Sequence, residues 1–153
     1  MTRVKLPLPS HFPFRTEIPI RISDINYGGH LGNDAVLSIA HEARIRFLRH
    51  FGYSELEIEG TGIMMTDALI VYRTEGLYGD VLIVEVGTRD FQSAHCDVVY
   101  RLTDKATHRE IARLKTGIVF IDKQTGKMTA LPDAFRRKCG ETDISASEPP
   151  SPE

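Results

Sequence analysis

Only one stretch of this 153-residue chain carries a long helical period, and everything else must pack around it. Val36, Ala40, Ala43, Phe47 and Phe51 recur at spacings of three and four, and Leu37, Ile39 and Leu48 widen the stripe. That is the broad apolar face of an amphipathic helix. Asn33 or Asp34 reads as its N-cap and Gly52 as the glycine just past its end, with Arg46, Arg49 and His50 near the negative pole of the helix dipole. A polar, glycine-punctuated loop, Ser23 to Asn33, runs straight into the helix start. Unpaired N–H groups there form a partial positive charge, so chemistry is expected at that junction.

The remainder reads as strands. Phe14 to Ile22 alternates, and Pro19, which cannot donate to a ladder, marks a sheet edge. Four further strand-like runs follow: Ile63 to Arg73, Val81 to Thr88, Ala94 to Leu102 and Glu110 to Ile121. In the third run Cys96, Val98, Tyr100 and Leu102 share one face. In the fourth Ala112, Leu114, Thr116, Ile118 and Phe120 do. Tyr53 to Thr61 holds another turn of helix, Asp122 to Lys127 a hairpin turn, and Pro132 to Lys138 a terminal helix. The expected organisation is an extended arm over 1–13, one domain over 14–140, and an acidic, proline-rich, disordered tail over 141–153. One helix beside a run of alternating strands is an α+β arrangement, with an antiparallel sheet wrapped on the helix. The outer sheet face and the strand edges still need cover, which favours self-association.

Composition narrows the function. A net charge of −2 argues against nucleic acid as a partner. Two cysteines, Cys96 and Cys139, give neither a disulfide framework nor a CxxC pair. No run approaches a membrane span and the N-terminus lacks a signal-peptide core, so the expectation is a cytoplasmic protein without a membrane partner. His41-Glu42 opens like a zinc-binding HExxH, but the fifth residue is Ile45, so no metal site is expected. A G-x-S-x-G elbow and a P-loop are both missing.

The loop, Asp24-x-Asn26-x-x-Gly29-His30-Leu31-Gly32-Asn33, resembles that of the hotdog-fold thioesterases of the hydroxybenzoyl-CoA and acyl-CoA branch. Glu42-Ala43-Arg44 on the helix, Tyr72 followed by Gly79-Asp80, and Ser93 after Phe91-Gln92 match the same pattern in order. The resemblance covers roughly residues 14 to 138. It departs at Asn26, where many members carry a carboxylate, and at Gly32, where the pattern has asparagine.

The resemblance implies a hotdog fold: one long central helix wrapped by a five- to six-stranded antiparallel sheet. It implies hydrolysis of an acyl-CoA or acyl-carrier-protein thioester without a cofactor, by a homodimer or a tetramer built as a dimer of dimers, with ligands at the subunit interface. Catalytic candidates are Asp24, Asn26, His30 and Glu42. Asn26 can orient water or the carbonyl but cannot be a general base; His30, Glu42 or Asp24 can. Gly29, Leu31, Gly32, Asn33, Tyr72, Arg73 and Ser93 are candidates for binding, with backbone N–H groups around Leu31 and Gly32 holding the developing oxyanion. Arg73, Arg89 and Lys115 are candidates for the phosphates of coenzyme A. Met64 and Met65 read as core fillers. Two other functions fit the same fold: an acyl-thioester binding module that has lost hydrolysis, motivated by Asn26 and Gly32, and a dehydratase or isomerase pairing a helix carboxylate with the loop histidine.

Overall fold

A computed structural model describes residues 3–140; the expected tail over 141–153 lies outside the described residues. Strand β1 (Phe14–Pro19) leads through a short 3₁₀ turn (Ile22–Asp24) and the polar loop into helix α1 (Asn33–His50). Strands β2 (Thr61–Tyr72), β3 (Val81–Arg89), β4 (His95–Asp104) and β5 (Glu110–Asp122) follow, and helix α2 (Asp133–Cys139) closes the described chain. The five strands form one antiparallel sheet in the order β1-β3-β4-β5-β2, so β1 and β2 are its edges.

The inward faces are those the alternation predicts. Cys96, Val98, Tyr100 and Leu102 on β4 and Ala112, Leu114, Thr116, Ile118 and Phe120 on β5 are all buried. Val36, Ile39, Ala40, Ala43, Phe47 and Leu48 of α1 press onto them in one core. Leu37 is the exception in the helical stripe, 41% exposed on the wall of a cavity. The outer face of the sheet is partly covered by the chain's own arm. Leu6 and Leu8 are buried against Val99, with Phe12, Leu69 and Val71 around them, and the buried Arg113 side chain donates to the Leu6 carbonyl at 2.9 Å.

Three local expectations are corrected. The first strand stops at Pro19, because the Asp24 carboxylate accepts from the Arg21 N–H at 2.8 Å and curls Ile22–Asp24 into a 3₁₀ turn. Tyr53 to Thr61 is not helical; small bridges, Ser54 to Glu57 and Ile58 to Thr61, fold it into two tight turns. The N-cap of α1 is Gly32, with no side-chain capping bond. The hairpin turn after β5 is as read, with the Gly126 N–H on the Asp122 carbonyl and the Asp122 N–H on that of Lys127. Among the described residues no helix is long and apolar enough to cross a membrane.

Candidate active site

The loop before α1 is held rigid by its own polar groups. Asp24 is 5% exposed, and besides the Arg21 N–H it meets the Arg21 guanidinium at 3.3 and 3.4 Å. The Asp24 side chain keeps the Arg21 guanidinium above its usual range, by hydrogen bond first and charge second. Asn26 turns its Oδ1 back onto the N–H groups of Gly28 (3.0 Å) and His30 (3.2 Å), a side-chain mimic of a backbone turn. Gly29 and Tyr27 lie at the exposed tip.

The loop is also stitched to the segment after β2. The Leu31 N–H donates to the Gly76 carbonyl at 2.8 Å, and the Gly32 N–H to the Asp24 carbonyl at 2.9 Å. Those two donors are therefore spent, and the expectation that they hold an oxyanion is corrected. The open donors are one step further on: the N–H groups of Asn33 and Asp34 have no acceptor among the described residues. They are the first two of the helix, where the backbone has no partner of its own. Gly76 permits the stitching. A Cβ there would sit 2.8 Å from Ile20 Cδ1 and 3.3 Å from Leu31 Cβ.

Two cavities meet at this helix start. One, of about 310 Å³, is lined by Asn26, His30, Leu31, Asn33, Tyr72, Arg73 and Glu75 among others. Here His30 Nε2 lies 3.2 Å from the Glu75 carboxylate, both partly exposed. The Tyr72 hydroxyl donates to the Asn33 carbonyl at 3.1 Å, tying the end of β2 to the helix start. Glu75 is a partner that the sequence reading missed; an acid three residues past a strand carries no spacing signal to a loop histidine 45 positions away. The second cavity, of about 750 Å³, runs between α1 and β2, from Asp34 past Leu37, Ser38 and His41 to Arg44 and Glu55. Ile63, Met65 and Ala68 supply its apolar strand wall.

The remaining sequence candidates are elsewhere. Glu42 is 53% exposed, lies in a third cavity with Arg21 and Asp24, and pairs with Arg46 at 2.8 Å. Ser93 is in the turn between β3 and β4 and contributes its carbonyl to the Leu131 N–H. Tyr72 faces Ala112 on β5, whereas His95 faces Val119. Seven residues of strand, about 23 Å, thus separate Ser93 from the loop. Lys115 is occupied by Asp67 at 2.6 Å and Asp97 at 3.6 Å, and Arg89 lies near the Ser93 end. Of the three phosphate candidates, Arg73 alone borders the loop cavity. Met64 and Met65 are not core fillers; they are 58% and 40% exposed on the edge strand. Among the described residues no group of three or more His, Cys, Asp or Glu comes together as a metal site would need.

Comparison with known proteins agrees with the fold. A search of curated proteins returns no match. A 1,4-dihydroxy-2-naphthoyl-CoA thioesterase from Synechocystis superposes with a TM-score of 0.72 at 20% identity, over 90% of this chain and 98% of that one. A gentisyl-coenzyme A thioesterase gives 0.70 at 16% identity, over 80% and 99%. At such identities these likenesses establish the hotdog fold. The family model of the thioesterase-like superfamily matches residues 20–139, from the loop through α2. The chain therefore belongs to the thioesterase-like superfamily, and it is a hotdog-fold thioester hydrolase.

Proposed function

We propose that this enzyme hydrolyses acyl-CoA thioesters at the start of α1, in the cytoplasm, as a homodimer or as a tetramer built as a dimer of dimers. The observation that carries the reading is the pair of open N–H groups at Asn33 and Asp34, set between two cavities and beside the loop histidine. A thioester carbonyl aimed at them gains hydrogen bonds as its oxygen becomes an anion, in the positive field of the helix end. Glu75 holds one ring nitrogen of His30 and leaves the other for the proton that the departing sulfur receives. Asn26 fixes the loop shape, Tyr72 anchors Asn33, and Arg73 is a contact for the coenzyme A phosphates. The larger cavity takes the acyl group along α1.

The oligomer reading is supported by β2, a twelve-residue edge strand with exposed Met64 and Met65 and an unpaired outer row of backbone groups. Light scattering is expected to give at least twice the chain mass; the mass of one chain at micromolar concentration would contradict it. The substrate reading is tested by thiol release across a panel of acyl-CoAs, with acyl-carrier-protein thioesters alongside. Turnover only on the carrier-protein forms would reassign the thiol half.

A further inference from the structure

Hydrolysis needs a group to take a proton from the attacking water, and most acids around the helix start are already engaged. Asp24 is bonded to Arg21, Glu42 to Arg46, Glu55 to Arg44 and Glu75 to His30. Asp34 has no hydrogen-bond or ion-pair partner among the described residues, and it lines the larger cavity. Its placement depends on a glycine. A Cβ built on Gly32 would fall 2.7 Å from Asp34 Oδ1, and the same point is 3.8 Å from Asn26 Cβ. The missing side chain at 32 is the space into which the Asp34 carboxylate folds, over the helix start and toward the loop.

We propose that Asp34 is the catalytic carboxylate, the base that takes a proton from the water attacking the thioester carbonyl. The inference rests on the thioester-hydrolase reading above. In the step, the water oxygen bonds to the carbonyl carbon while one water proton passes to the Asp34 carboxylate. The oxyanion lies against the Asn33 and Asp34 N–H groups. Collapse of the tetrahedral intermediate breaks the carbon–sulfur bond, and the proton held by Asp34 reaches the thiolate through His30. Products are the acid and the thiol, and the enzyme ends as it began. An aspartate in the first turn also suits the helix dipole, a purely structural role. The two roles differ in their response to an isosteric amide, which keeps the shape and cannot accept the proton.

The test is Asp34→Asn, Asp34→Ala and Gly32→Ala, assayed by thiol release and by binding of a non-hydrolysable S-alkyl-CoA thioether. Asp34→Asn is expected to lower kcat by about a hundredfold or more while thioether binding persists. Asp34→Ala should recover part of its turnover when formate is added as a replacement carboxylate. Gly32→Ala, whose new methyl group displaces Oδ1, should lose turnover with Asp34 still present. Turnover of Asp34→Asn within about threefold of wild type would overturn the assignment and leave the hydrolase reading intact. Wild-type protein that releases no thiol from any thioester would overturn both.

Discussion

The two ends of α1 are built to opposite rules. In its C-terminal half Arg44 is buried and paired: Nε on Glu55 at 2.5 Å, Nη1 on the Tyr100 hydroxyl at 3.0 Å, and that hydroxyl on Thr116 at 2.8 Å. His41 joins from the cavity side, 3.3 Å from the other Glu55 oxygen. Burial works to lower the Arg44 pKa, but Tyr100 and Glu55 carry it above its usual range. At the N-terminal end Asn33 and Asp34 are exposed, and among the described residues neither the first two N–H groups nor the Asp34 carboxylate has a partner. A satisfied network contributes rigidity and a unique geometry. Unsatisfied groups around a cavity are what a reaction can use. The comparison teaches that polarity alone does not mark a site; unmet hydrogen-bonding capacity does.

If this division holds, variants at the two ends separate stability from turnover. The largest stability loss is expected for Arg44→Met, which leaves Glu55 and Tyr100 without their cation. Removing one partner of such a pair costs about 3 kcal/mol, measurable as a shift in the urea midpoint at unchanged slope. His30→Ala should do the reverse, with turnover down about a hundredfold and stability within about 0.5 kcal/mol of wild type. Asp24→Ala sits between the two. It removes the acceptor of the Arg21 N–H and loosens the loop, so a loss of about 1 kcal/mol should accompany a fall in turnover. Glu42→Gln should be nearly silent, since its exposed pair with Arg46 is worth about 0.3–0.5 kcal/mol and it lies outside both cavities at the helix start. A large loss of turnover there would break the comparison. Smallest of all is thiol labelling of the native protein. Burial pushes Cys139 up to about 12 and raises Cys96 further. Both thiols remain protonated, and a disulfide reagent should leave them unmodified until the chain unfolds.

The fold was legible because periodicity reports burial directly. The apolar alternation of Cys96 to Leu102 and of Ala112 to Phe120, set against one helical stripe, left a single way to bury both. Of the candidate site, only the loop that carries it was legible. Asp24, Asn26 and His30 share one loop in sequence, but which atoms are free depends on pairings with distant residues that no local pattern encodes. Gly76 takes the Leu31 N–H and Glu75 takes His30, across more than forty positions. With the Leu31 N–H on Gly76 and the Gly32 N–H on Asp24, the open N–H groups among the described residues are those of Asn33 and Asp34. Ser93 shows the converse: a residue matching a family pattern in order, placed at the far end of the sheet.

The central claim is that hydrolysis occurs at the start of α1. Its most direct test is thiol release from an acyl-CoA panel by wild type and His30→Ala side by side, with urea unfolding of both. The account predicts turnover by the wild type and its collapse in a variant that unfolds at the same urea concentration. Turnover undiminished in His30→Ala, or lost only in step with stability, would contradict it.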